Sequence, residues 1–137
     1  MHERRRFVLP AVLAFALVLT GCGDATSSVL PPRFVAGIYV LKSVTGRGPT
    51  AGSFALSANG AATRSVQYTG TYAGTYVAVG TFSLVPGTIE FALREDNGQS
   101  PYEWKVRGEW SGHTFTLRYP DPADGWITET FEREGTP

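Results

Sequence analysis

The chain has 137 residues, with 12 Lys+Arg against 12 Asp+Glu, one Cys, two His and 16 Gly. That length holds one domain with a single core. A formal charge of zero gives no basic surface for nucleic acid, and one cysteine excludes an intrachain disulfide framework or a cysteine-rich zinc site. An apolar fraction of 42% with 3 Trp, 6 Tyr and 8 Phe marks a folded chain and excludes a disordered one.

The first residues read as a targeting segment. Met1-His2-Glu3-Arg4-Arg5-Arg6 is short and basic, and Phe7 to Leu19 carries no charge. A helix over Phe7–Leu19 would span roughly 20 Å, short of the ~30 Å hydrocarbon core. The stretch is therefore expected to be a secretory signal and not a permanent membrane span. Arg4-Arg5-Arg6-Phe7-Val8 also looks like a twin-arginine export motif, but the strongly apolar stretch behind it favours the general secretory route.

Directly after the apolar stretch stands Leu19-Thr20-Gly21-Cys22, which holds the chain's one cysteine. This resembles the lipobox of bacterial lipoproteins: a Leu, two small residues and a Cys. The resemblance implies a diacylglyceryl group on the Cys22 thiol, cleavage between Gly21 and Cys22, and acylation of the freed amine. The other reading is an ordinary signal peptide with a Cys near its end. Each buried CH₂ is worth about 0.8 kcal/mol, so two or three chains on one residue make a lasting anchor. The implied location is the bacterial cell envelope, held to the membrane by the lipid on Cys22. Asp24 stands one place beyond the position associated with inner-membrane retention, which favours the outer membrane, on its periplasmic or surface face. Loss of residues 1–21 takes away three Arg and one Glu, leaving a weakly acidic domain that gains nothing from an anionic lipid surface.

Lipidated Cys22 and the residues up to Arg33 are expected to form a flexible tether. Gly23 to Arg33 is small and polar, lacks a hydrophobic period and ends in Pro31-Pro32-Arg33. The folded domain is placed at residues 34–134, with 135–137 as a tail.

From Phe34 onward no apolar stripe of helical period occurs. Turn signals recur instead at Gly48, Gly60, Gly74, Gly87, Gly98, Gly112 and Gly125, separated by 11 to 14 residues. Asn59-Gly60 and Asn97-Gly98 are favoured hairpin pairs, and Gly70 competes with Gly74 for the third turn. The runs between are rich in Val, Thr, Tyr, Phe and Trp, which suit a pleated surface. Along Tyr102–Trp110 every even residue is apolar or Gly and every odd one is charged, a half-buried strand of period 2. Ile89, Phe91 and Leu93 share a face in the same way, as do Phe115 and Leu117. Seven turns give eight strands. Short, even connections favour an antiparallel up-and-down meander closed into a small barrel, which abolishes the edges. A sandwich of two sheets is the alternative.

Gly37-Ile38-Tyr39 resembles the Gly-x-Trp opening of lipocalin-like barrels, with Tyr in place of Trp. In that superfamily an Arg near the end of the last strand packs on the aromatic ring, and Arg133 stands at the matching place. The resemblance implies a Tyr39–Arg133 cation–π contact closing one barrel end, worth about 0.5–2 kcal/mol.

The inventory for chemistry is thin. His113 is the one histidine beyond the targeting segment, and no Gly-x-Ser-x-Gly elbow is present, so no catalytic residue is assigned. Metal and cofactor sites are not expected. Glu90, Glu103 and Glu109 alternate against apolar residues and should face water. The acidic turns Glu95–Gly98 and Asp121–Gly125 lack the ligand spacing of an EF-hand loop. Ala62, Arg64, Val66 and Tyr68 share one face, so an inward Val66 carries Arg64 inward with it. A buried Arg needs a carboxylate, water at the mouth or an anionic ligand. Arg64, Tyr68, Trp104 and Trp110 are thus the candidate ligand contacts. The expected function is a non-catalytic binding module for a small apolar ligand; the alternative is a protein-interaction or inhibitor module of the envelope with a filled barrel.

Overall fold

The computed structural model describes residues 29–96, 101–121 and 125–135. The lipobox residues Gly21 and Cys22 and the Asn97-Gly98 turn lie outside these. Eight strands run in chain order: β1 (Gly37–Thr45), β2 (Ala51–Leu56), β3 (Ala61–Tyr68), β4 (Gly74–Val85), β5 (Thr88–Glu95), β6 (Tyr102–Trp110), β7 (Thr114–Asp121) and β8 (Gly125–Arg133). Each pairs antiparallel with the next, and β8 pairs back onto β1 from Tyr39↔Arg133 to Thr45↔Thr128. The meander is a closed barrel, and the two-sheet sandwich is excluded by that last ladder.

Two turns differ in detail from the expected glycines. In the first connection the left-handed residue is Gly46 (φ 88°), not Gly48, and the third turn is built on Gly70 (φ 85°) in a 3-10 turn over Gly70–Tyr72. Gly74 instead opens β4. The tightest hairpin, Val85-Pro86-Gly87-Thr88, sets φ with Pro86 and reverses the chain at Gly87 (φ 76°), the pattern of a type II turn.

Alternation fills the interior. On β6, Val106 and Gly108 are buried while Lys105, Arg107 and Glu109 are exposed. Phe54, Phe82, Phe91, Phe115, Phe131 and Tyr39 crowd one half of the barrel, where β1 and β3 begin and β2 and β4 end. Phe54 sits among three rings, with centroids 4.7 Å from Phe91, 4.9 Å from Phe131 and 5.3 Å from Phe115. Such tilted and edge-on pairs add roughly 0.5–1.5 kcal/mol each beyond the area they bury.

This end is also capped by the lead-in segment. Leu30 N–H donates to Leu84 O at 3.0 Å, Pro32–Phe34 forms a 3-10 turn, and Val35 is fully buried in the core. The Tyr39 hydroxyl donates to Val35 O at 3.0 Å and fastens the segment. The expectation that the flexible tether runs up to Arg33 is therefore corrected for Leu30 to Arg33, which are docked on the barrel. Two apolar residues, Leu30 and Val35, cover rings that would otherwise meet water, and that burial outweighs the freedom of a loose chain.

The walls approach closely at several glycines, Gly80 and Gly108 among them. A Cβ on Gly80 would lie 2.0 Å from Ala92 O, and one on Gly108 would lie 2.5 Å from the Leu117 side chain. Gly80→Ala should therefore lower the unfolding free energy by about 1–3 kcal/mol, the usual range for overpacking. Phe115→Ala should cost about 3–5 kcal/mol. Urea unfolding of both variants measures these losses, and an unshifted midpoint for Phe115→Ala would contradict the core described above.

Candidate binding site

The other end, where β1, β3, β5 and β7 finish, has a different chemistry. On β3, Ala62, Arg64 and Val66 are buried and Tyr68 is half-buried at the rim, so Arg64 does point inward. Its partner is a carboxylate. Arg64 Nη2 donates to Glu129 Oε1 at 2.8 Å, and Glu129, on β8, is fully buried. The Tyr119 hydroxyl donates to the same oxygen at 2.6 Å. The Arg64 guanidinium also lies 4.9 Å from the Trp104 ring, which is edge-on to Tyr119 at 5.2 Å. Arg64 Nε and Glu129 Oε2 are buried with no protein partner.

These contacts fix the protonation states. Burial is the largest influence and opposes the Arg64 charge, but Glu129 together with Tyr119 and Tyr68 outweighs it and holds the guanidinium above its ordinary value. Burial, and then the adjacent Glu129 carboxylate, push the Tyr119 phenol well above the usual tyrosine value, so it stays a donor. Neither Glu129 nor Tyr119 was assigned from sequence. Both were accessible there, since Ile127, Glu129 and Phe131 share one face of β8 and Leu117 and Tyr119 one face of β7.

Above this pair the barrel opens into a cleft of about 510 Å³ lined by Tyr68, Tyr102, Trp104 and Tyr119, with Glu95 and Asp121 among its polar contacts. Tyr68 is steadied by an edge-on contact with Tyr76 at 5.4 Å. Another hollow, of about 480 Å³, is lined by Glu90, Lys105 and Arg107 together with Phe82, Phe91 and Val106 and carries no comparable set of tyrosines and tryptophan.

Of the four candidate ligand contacts, Arg64, Tyr68 and Trp104 come together at this mouth. Trp110 does not. It lies at the capped end, packed against the apolar core. Tyr39 and Arg133 are directly opposed across β1 and β8, also at the capped end. Arg133 donates to Ala36 O at 2.6 Å and lies over Gly37, where a Cβ would be 2.9 Å from its Nε. The two residues hold the lead-in segment and take no part in the mouth. His113 is exposed, with its backbone engaged by Ser111 and Arg133. Among the described residues no group of three or more His, Cys, Asp or Glu side chains is placed to hold a metal ion.

No protein-family model matches the chain, and no curated protein matches it. Among solved structures, a redesigned beta barrel aligns over 80% of this chain and 99% of its own, with a TM-score of 0.53 and 14% sequence identity. At that identity the likeness is one of fold.

Removing Glu129 strands a buried guanidinium, so Glu129→Ala should destabilise the barrel by about 3–5 kcal/mol. The double variant Arg64→Met/Glu129→Leu should recover most of that loss in the same unfolding assay. Alkaline pH gives a second check. An unfolded tyrosine loses its proton near pH 10 while folded Tyr119 keeps it. The unfolded state then binds fewer protons, and stability falls as pH rises above about 10. Tyr119→Phe should remove up to about 1.4 kcal/mol of that loss per pH unit.

Proposed function

We propose that the chain is a lipid-anchored lipoprotein of the bacterial envelope whose barrel is a non-catalytic binding module, with its ligand held at the open end. The observation that carries this reading is the aromatic cleft of about 510 Å³ at the end opposite the lead-in segment. The Phe-rich half is filled, so a ligand sits in the mouth and not inside the barrel. Cleft volumes of about 300–1,000 Å³ with aromatic walls and a few fixed polar groups are typical of small-molecule sites.

The geometry suits an anchored protein. A lipid on Cys22 would connect to the capped end, and the eight residues from there to Leu30 reach at most about 26–29 Å. The mouth is then at the end of the barrel away from the attachment point. A binding role also fits the protonation states: Tyr119 keeps its proton and Arg64 is committed to Glu129, so neither is poised as an acid or base.

A second reading, a protein-interaction module, is favoured by Tyr72, Tyr102 and Trp126, which are 72%, 62% and 58% exposed at the same end. Exposed aromatics of this kind anchor protein interfaces.

Two experiments test the main reading. Cys22→Ser should abolish incorporation of labelled fatty acid and leave the precursor uncleaved; normal membrane attachment of that variant would overturn the anchor. For the mouth, the full lipidated chain in nonionic micelles is titrated with benzyl alcohol, benzyltrimethylammonium and phenylacetate and followed by NMR. At least one probe should give saturable shifts centred on Tyr68, Trp104 and Tyr119. Shifts from none of the three would sink the binding reading.

A further inference from the structure

The charge arrangement around the mouth specifies which kind of molecule it takes. Resting on the binding reading above, we infer that the ligand is an organic cation, an alkylated or benzylic ammonium with an apolar body.

Arg64 is the residue that would suggest an anion, and it is already engaged. Its guanidinium is 7% exposed at the side chain, paired to Glu129 at 2.8 Å and stacked on Trp104 at 4.9 Å. A ligand anion would meet the Glu129 carboxylate that Arg64 and Tyr119 hold, and Arg64 Nε, a donor left without a protein partner, is itself buried. The other charged side chains lining the cleft among the described residues are both carboxylates, Glu95 and Asp121, each half-buried at the rim. Glu129 is already paired to Arg64, so the cleft lining adds two carboxylates and no second cation among the described residues. Glu95 is the candidate for direct contact, since Asp121 has a further interaction within the protein.

The walls agree with the charge. Tyr68, Tyr102, Trp104 and Tyr119 present rings whose faces are negative, and such a set attracts a cation most strongly where water is excluded. Trp104 already does this for Arg64, within the 6 Å range over which the interaction acts. A metal ion is a poor match. Hard cations ask for six or more oxygen ligands, and the described residues bring no three carboxylates together.

The closing experiment compares affinities within the same titration series. Benzyltrimethylammonium should bind at least tenfold more tightly than benzyl alcohol, phenylacetate should give no saturation, and 0.5 M NaCl should weaken the cation alone. Glu95→Gln, a rim change that leaves the core untouched, should weaken benzyltrimethylammonium about fivefold without moving the affinity for benzyl alcohol. Equal or tighter binding of benzyl alcohol or phenylacetate overturns the cation assignment and leaves the binding module standing. Shifts from none of the probes remove both.

Discussion

Closing an eight-stranded sheet leaves an interior only a few side chains wide, and the β1–β8 ladder imposes that constraint on everything else. Without it the inward faces of β1 and β8 would lie at open edges, and the ring cluster around Phe54 would have no far wall. With it, each inward position must be filled or must border the mouth. The chain meets this by dividing the barrel. One half is packed with phenylalanines and stoppered by Val35, and the other carries tyrosines and tryptophan around a wet opening.

The boundary between the halves is the Arg64–Glu129 pair, which joins β3 to β8 across the interior. Buried ion pairs contribute little net stability, because desolvation consumes most of the Coulombic gain. This one leaves Arg64 Nε and Glu129 Oε2 unpaired within the protein, which adds to the cost. Its effect is positional. The pair fixes the edge of Trp104 against Tyr119 and prevents either charge from turning outward, so the cleft above it has a floor of defined shape and little free charge.

Much of this was legible in the sequence because a barrel wall has period 2 and hairpins need glycine. The β6 alternation and the recurring glycines gave the strands their number and order. The inward turn of Arg64 followed from Val66 and Tyr68 on the same face. Its partner did not follow, because β3 and β8 approach only after closure brings strands from opposite ends of the chain together. Trp110 was misplaced for a simpler reason. It shares a face with Trp104, but six residues at about 3.3 Å each put the two rings roughly 20 Å apart, at opposite ends of the barrel. Leu30 was invisible as a core contact because the two apolar residues Val29-Leu30 before Pro31-Pro32 are too few to show a period.

The wall glycines Gly80 and Gly108 bear on how the molecule reaches this arrangement. The hairpins that contain them are similar in pattern, a glycine followed by a tight turn and then apolar-x-apolar-Arg, from Gly80 to Arg94 and from Gly108 to Arg118. Repeated patterns invite a chain to zip up out of step. Here a two-residue slip would thrust the methyl of Ala78 or the ring of Phe82 toward the carbonyl of Ala92, where only a hydrogen fits now. The absent side chain at Gly80 thus suits the one alignment that sets it opposite Leu93, where a methyl group would have no room.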